Sequence, residues 1–354
     1  MTEDERTAVD LLAGVARGLI ELTSVAQTAM FRLPYPSSLQ LALDRVVLAG
    51  LTRHMPTPGG VPELLSWCRE RRPADWWPLE LPVGFLTADA RLIHSVGDEA
   101  TRTCAELASY GRDGVLEQEA ETLLAELANT CGTVERFAAC RDFLISRPVI
   151  LQYNPIELLG PAVAHTWKLV QHLYVPVPDR FRVHRVVHRC TGCLLLAKPV
   201  TADASWCEGG CQPEGRVLES SHQPEQARAL PLGLRLFLAL PGRTERAVRS
   251  GLDRQTRLLP QGLGLHRVTS PDGNLCVFQV QDREQPIPAA LRAAEAAAEL
   301  HGPLDIVAPD RLAASPGYRE NFEYALSDGA DVRLLSVSEF TGLRPAGRER
   351  NDHA

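Results

Sequence analysis

Apolar positions along residues 7–175 recur at helical spacing. In AVDLLAGVARGLIELTSVAQ, the residues Leu12, Val15, Leu19, Leu22 and Val25 fall three and four apart, which predicts one buried helical face. Pro34 and Pro36 end that helix. Ser37 is placed to cap the next, whose apolar side carries Leu39, Leu43, Val46 and Val47. Pro62 suits the first turn of a short helix through Trp67. The passage ADWWPLELP reads as extended, with Trp76 and Trp77 anchoring it to a helical bundle. Further helical patterns cover 98–110, 115–130 and 133–145. Asn154, Pro155 and Glu157 give a helix start, interrupted at Pro161 and continued through His165, Trp167, Lys168 and His172.

The pattern changes after residue 175. VPVPDRFRVHRVVHRCTGCLLL is β-rich and basic, TADASWCEGGCQPEG is a glycine-rich knuckle, and SSHQPEQ reads as a linker. LGLRLFLAL (232–240) predicts an apolar strand, and PGRTERAVRSGLDRQTRLL an arginine-studded helix. LGLHRVTS and NLCVFQVQ predict two strands around the turn signal Pro271–Asp272–Gly273. PAALRAAEAAAEL predicts a helix, LDIVAP a buried strand, GYRENFEYAL a helix and DVRLLSV a last strand. That order describes a mixed sheet flanked by helices. The expected architecture is multidomain, α plus α/β: a helical platform at 1–175, a four-cysteine zinc-ribbon segment at 176–224, a sheet domain at 225–345 and a tail at 346–354.

A chain of 354 residues suits two or three domains, and 45% apolar with 23% charged residues excludes a mostly disordered one. No unbroken apolar run is long enough to span a bilayer. The acidic start MTEDERTAVD lacks the basic opening of a signal peptide, so the expected location is the cytoplasm, without membrane contact. The net charge of −7 opposes wholesale coating of nucleic acid, but it is unevenly spread: −7 over 1–175, +6 over 176–268 and −6 over 269–354. The basic middle hints at an anionic partner there. Apart from Lys168 and Lys198 the basic residues are arginines, which suit bidentate phosphate contacts.

Of nine cysteines, Cys68, Cys104, Cys131, Cys140 and Cys276 stand singly and read as small core residues. The others form two chelating pairs: Cys190-x2-Cys193 and, after thirteen residues, Cys207-x3-Cys211. Four thiolates are expected to hold a structural Zn2+, with no position left open for catalysis. Gly192, Gly209 and Gly210 permit the tight turns such knuckles need. His184 and His188 then join Arg182, Arg185 and Arg189 as a basic patch. The helix after Gly242 presents Arg243, Arg246 and Arg257, with Arg249 and Arg254. Those arginines form either a solvated face partly paired with Glu245 and Asp253, or a phosphate-contact stripe continuous with Arg182, Arg185 and Arg189.

The stretches LALPGRTERAVRSGL, LHRVTSPDGNLCVFQVQDREQP, DIVAPDRLAASPGYRENF and VRLLSVSEF, with the cysteine knuckles ahead of them, resemble the restriction-endonuclease-like proteins associated with pPIWI-RE, a prokaryotic PIWI/Argonaute-like family. The N-terminal stretch LLAGVARGLIELT…PYPSSLQLALDRVV…ELLSWC…DWWPLELP resembles the helical domain that precedes the nuclease in that family. The resemblance implies a restriction-endonuclease-like sheet, in which an acid on one hairpin strand and an acid-x-Lys triplet on the next hold divalent metal. It also implies a bacterial antiviral or anti-plasmid defence role, with a PIWI/Argonaute-like protein, a helicase and a DNA or RNA guide or target as partners. Here the chain departs from the pattern. The first acid position, two before Arg267, is Leu265, and the triplet falls on Gln279-Val280-Gln281. Glutamine supplies neither the negative charge a hard cation needs nor the lysine charge. The expectation is therefore a pseudo-nuclease with no catalytic metal. Two other readings stay open: an active metal-dependent DNA nuclease with displaced acids at Asp282 and Glu284, and a zinc-stabilised interaction module without nucleic-acid contact. Asp272 is assigned to the turn.

Overall fold

The computed structural model describes residues 2–342 apart from 26–33, 77–78, 96–98, 112–113, 155–157, 159, 161–162, 202–203, 213–215, 253–256, 261, 270–274 and 327–329. The first part is helical, as the apolar spacing requires: α1 (Glu3–Val25), α2 (Ser37–Thr52), α3 (Val61–Glu70), α4 (Arg102–Ala108), α5 (Val115–Cys131), α6 (Val134–Ser146) and α7 (Ala164–Val170). Leu12, Val15 and Leu19 of α1 meet Leu39 and Val46 of α2 and Leu107 of α4 in one core. Each fully buried leucine contributes about 1.5–3 kcal/mol to that core. Trp76 is buried edge-on against Trp67, with ring centroids 6.1 Å apart, and so anchors the extended passage. Trp77, Pro155, Glu157 and Pro161 lie outside the described residues. Ser37 is not a cap: it is the first helical residue behind Pro36, and the helix start carries no side-chain cap bond. Thr2, Thr101 and Thr133 do cap helices, accepting from the backbone N–H of Glu5, Cys104 and Arg136.

Strands β1 (Val149–Ile150), β2 (Val175–Pro176) and β8 (Arg228–Ala229) form a small antiparallel sheet, order β1-β8-β2, that ties both ends of the cysteine segment to the helical part. Within the segment, β3 (Arg182–Val183), β4 (Val186–Cys190), β5 (Leu196–Pro199) and β6 (Ser205–Cys207) follow one another, and β7 (Leu218–Ser221) pairs with β4. His184 and Arg185, both left-handed at φ 50° and 64°, join β3 to β4 in a two-residue turn. SSHQPEQ is thus not a free linker. Ser220 and Ser221 lie in β7 opposite His188 and Val187, and their hydrogen-bonding edge is consumed by the sheet.

LGLRLFLAL is not a strand. It runs as a helical turn (Leu232–Leu234), a π-turn (Arg235–Ala239) and the opening of α8 (Leu240–Gly251). Leu234, Leu236, Phe237, Leu238 and Leu240 are all buried, and an apolar run buried on every side is shared by core strands and core helices. The π-turn directly precedes Pro241, which has no N–H to give the preceding turn. A Cβ on Gly233 would stand 2.3 Å from the Leu116 carbonyl oxygen, and one on Gly242 2.4 Å from the Ile145 side chain. These glycines let the helix lie directly on α5 and α6. The helix ends at Gly251, so Arg257–Pro260 is a strand, β9, and not its continuation.

The second sheet has the order β13-β12-β11-β10-β9. Its antiparallel half is β9 with the hairpin β10 (Leu265–Thr269) and β11 (Leu275–Val280); the turn at 271–273 lies outside the described residues. Its parallel half is β11, β12 (Leu304–Ala308) and β13 (Val332–Ser336), connected through α9 (Pro286–Leu300) and α10 (Tyr318–Ala325). Ala293 and Phe322 from those helices cover one face with Ile306 and Leu334. Val248 of α8 and Phe340 of α11 (Val337–Gly342) cover the other with Phe278 and Val307. Among the described residues no helix is long and apolar enough to cross a membrane.

Candidate metal centre and the cleft of the sheet

Two tight turns build the cysteine cluster. After Cys190 the chain folds back on itself: the Cys190 N–H donates to the Leu195 carbonyl at 2.9 Å and the Leu194 N–H to the Cys190 carbonyl at 2.8 Å. After Cys207 the Gly210 N–H returns to the Cys207 carbonyl, with Gly210 left-handed at φ 65°. These turns bring the Sγ atoms of Cys190, Cys193, Cys207 and Cys211 within 4.8 Å of one another. A tetrahedral ion with sulfur bonds of about 2.3 Å would hold its ligands about 3.8 Å apart, so the four sulfurs fit one ion. A Cβ on Gly209 would stand 2.9 Å from the Cys193 sulfur, so the backbone approaches that ligand as closely as a glycine allows. Hydrogen bonds among the four sulfurs push the Cys190 thiol down and the Cys193 and Cys207 thiols up, so without an ion the cluster shares protons among its sulfurs. Cys190, Cys193 and Cys207 share a core with α5, α6 and Leu234–Leu240, so the cluster is built into the molecule and not hung from it. Of the single cysteines, Cys68, Cys104, Cys131 and Cys140 are buried, the last two with sulfurs 3.6 Å apart, and Cys276 is half-buried.

In the sheet, Leu265 of β10 stands directly opposite Gln279 of β11. The Gln281 Nε2 donates to the Gln279 Oε1 at 2.9 Å, while the buried Gln281 Oε1 has no partner among the described residues. The structure thus brings the three expected positions together with no carboxylate among them. Leu265 and Gln279 line a cleft of 380 Å³, closed over by Glu121 and Leu124 of α5 and bounded by Arg292 and Glu299 of α9. Glu121 pairs with Arg292 at 2.9 Å, and burial pushes its carboxyl up. Glu121 comes from a helix far along the chain from the hairpin and Glu299 from the end of the helix that follows it, and sequence spacing gave no signal for either.

The arginines singled out in the sequence are divided. Arg182 pairs with Asp179 at 2.8 Å and donates to the Val177 carbonyl, and Arg189 pairs with Glu219 and donates to the Val149 carbonyl. Arg185 is exposed at its turn, and Arg243 and Arg246 are exposed on α8. Arg249 pairs with Asp142 at 2.9 Å. Asp253 and Arg254 lie outside the described residues, as does the side chain of Arg257. Glu245 is not a surface partner of this stripe. It is buried, gripped by both terminal nitrogens of Arg141, with His266 Nε2 3.3 Å away. His184 is exposed; His188 meets Ser220 Oγ at 2.8 Å, and burial pushes its imidazole down.

Residues 11–151 match the model of a family described as pPIWI_RE three-gene island domain Y. The match links the chain to pPIWI-RE islands. It covers the helical part, from α1 to the end of β1, and stops before the cysteine cluster and the sheet. No curated protein and no solved structure matches the chain.

The region that matches this model grips the rest of the molecule through buried charges. Arg102 of α4 donates to Glu106 at 2.8 Å and to the Asp282 carboxylate at 2.9 Å, and Arg311 reaches the same carboxylate at 2.8 Å. Arg283 pairs with Glu117 at 2.6 Å. Glu284 accepts from the Thr103 hydroxyl at 3.1 Å, and burial pushes its carboxyl up. Asp282 and Glu284, the acids that follow the hairpin in sequence, are therefore turned toward α4 and engaged there. Arg102, Glu106, Glu117 and Arg141 were missed in the sequence, because an ion pair between distant segments leaves no local pattern.

Proposed function

We propose that the chain is a non-catalytic subunit of a pPIWI-RE island defence complex, acting in the cytoplasm. In this reading the second sheet is a restriction-endonuclease-like scaffold that has lost its cation site. Cys190, Cys193, Cys207 and Cys211 would hold Zn2+, which supplies cross-linking and no chemistry, since four thiolates leave no open coordination position. A PIWI/Argonaute-like protein and a helicase are the protein partners. DNA or RNA is engaged electrostatically, with Arg185, Arg243 and Arg246 as exposed phosphate contacts.

One observation carries the reading: Leu265, Gln279 and Gln281 meet in the sheet without a carboxylate among them, and Gln281 donates to Gln279. A metal-dependent nuclease must bind its ion, activate water and stabilise phosphate charge. The acids that follow the hairpin in sequence, Asp282 and Glu284, are engaged with Arg102, Arg311 and Thr103, and of the two carboxylates lining the cleft Glu121 is paired with Arg292. The cleft itself is at the small end of the about 300–1,000 Å³ of ordinary ligand pockets, and Glu121 and Leu124 of α5 stand in its wall. The test is a cleavage assay with magnesium and with manganese, on single- and double-stranded DNA and on RNA, for the chain alone and in its complex. No cleavage is expected. Cleavage abolished by Glu121→Gln with Glu299→Gln, or by Glu284→Gln, would overturn the reading in favour of a displaced catalytic site.

A further inference from the structure

The largest cleft among those described, 1040 Å³, lies beside the metal centre and away from the hairpin. One wall is the knuckle from Cys207 to Gln212, the second is the loop carrying Arg91 and His94, and the third runs from Arg311 to Asn321. Its arginines are poorly neutralised. Arg91 has a buried Nη1 with no hydrogen-bond partner among the described residues, a costly arrangement for an ionised group. Arg216 donates from its terminal nitrogens to the carbonyls of Ser205 and Cys211, while its buried Nε has no hydrogen-bond partner among the described residues. Arg311 shares Asp282 with Arg102, and its side chain is 56% exposed.

The carboxylates in the wall do little to cancel this. Asp89 is exposed to water, and Glu284, which accepts from Thr103, is pushed up by burial against the opposing pull of Arg102 and Arg311. The local field is positive: the His94 imidazole is pushed down by burial and then by Arg216 and Lys198. Hydroxyl and amide groups of Ser205, Ser315 and Asn321 stand in the same wall. The aromatic side chains there, Trp206 and Tyr318, are buried, so they offer no free face on which a base could stack. The chemistry of the wall suits tetrahedral oxyanions, not rings.

We propose that this cleft binds a phosphate group, held by Arg91, Arg216 and Arg311. The phosphate belongs either to a free nucleotide or to the backbone or end of an oligonucleotide. Only the second source rests on the nucleic-acid reading given above. Arg216 also braces the Cys211 turn, so Arg91 and Arg311 are the residues to change.

The experiment uses the zinc-loaded full chain and fluorescence anisotropy at low salt. The probes are a fluorescent ATP analogue and a short labelled single strand, with and without a 5′-phosphate, with inorganic phosphate as competitor. At least one probe should bind, and Arg91→Ala and Arg311→Ala should each weaken it about tenfold and lower the salt slope by about one. Arg91→Lys should recover part of the loss. Binding of the ATP analogue, displaced by inorganic phosphate, identifies a free nucleotide; binding of the strand alone identifies the polymer. Absence of binding to every probe, or binding indifferent to Arg91→Ala and Arg311→Ala, overturns the proposal. If binding falls instead on Arg243→Ala with Arg246→Ala, the cleft is excluded while nucleic-acid engagement stands.

Discussion

The cysteine cluster and the hairpin of the second sheet are both places where the fold brings side chains from separated positions to one point, and they end differently. In the cluster, two turns converge four soft donors at the spacing of one ion. In the hairpin, the register that would oppose acid to acid opposes Leu265 to Gln279, and Gln281 bonds to Gln279. Backbone geometry and chemical content are therefore separable. Strand register is fixed by the apolar faces, here Val268, Phe278 and Val307, and does not depend on charge at positions 265, 279 and 281. A chelating knuckle does not survive such an exchange, because the ion is what holds its turns together. On the proposed function, the hairpin keeps its fold without an ion site, and the cysteine segment depends on having one.

The largest effect that would break this contrast comes from the cluster. Cys190→Ser with Cys193→Ser should abolish metal content and unfold the cysteine segment, since structural zinc supplies about 10–16 kcal/mol of apparent binding free energy. Because the cluster shares a core with α5 and α6, circular dichroism should also show loss of helix. A helical signal unchanged by the double substitution would make the cluster a peripheral ornament.

Next comes the buried pair that ties α6 to α8. Burial by itself would raise the Glu245 carboxyl, but Arg141 and then His266 hold it well below the ordinary carboxylate range. A depressed carboxyl contributes stability in full above its unfolded value and loses it as pH falls through the folded one. Glu245→Gln should therefore cost about 3–5 kcal/mol at neutral pH, because Arg141 is left buried and unpaired. The gap to the parent should narrow as pH falls below about 4, where the unfolded carboxyl takes up a proton that the folded one does not. Urea titrations across that range measure it, and a pH-independent gap would contradict the assignment.

A smaller effect sharpens the hairpin side of the comparison. Gln281 makes one hydrogen bond and leaves its buried Oε1 unsatisfied. Gln281→Leu should accordingly change stability by less than about 1.5 kcal/mol, because removing a half-satisfied buried polar group offsets the lost bond. A larger loss would show that the amide has a role the structure does not display. The smallest effect is expected at Arg243→Ala with Arg246→Ala, within about 0.5 kcal/mol of the parent, as befits exposed side chains.

How much of this was readable in the chain follows from how local each signal is. The helical faces of α1 and α2, the hairpin strands and the cysteine pairs depend on residues close in sequence, and their spacing exposed them. The helix at 232–251 was misread at its start because an apolar run buried on every side has no periodicity to reveal. The surface role expected of Glu245 failed for a different reason: its partner Arg141 lies on another helix, and only the fold joins them. For the same reason the arginines of the large cleft, drawn from three separate segments, formed no patch in the sequence, whereas Arg182 and Arg189, which did, are held by partners.

A metal inventory of the purified chain tests both halves of the contrast at once. The protein is dialysed against manganese and a trace of zinc, and both metals are then counted by mass spectrometry. The account predicts about one zinc per chain, lost in Cys190→Ser with Cys193→Ser, and no retained manganese. Zinc absent from the parent, or manganese retained and released by Glu121→Gln with Glu299→Gln, would contradict it.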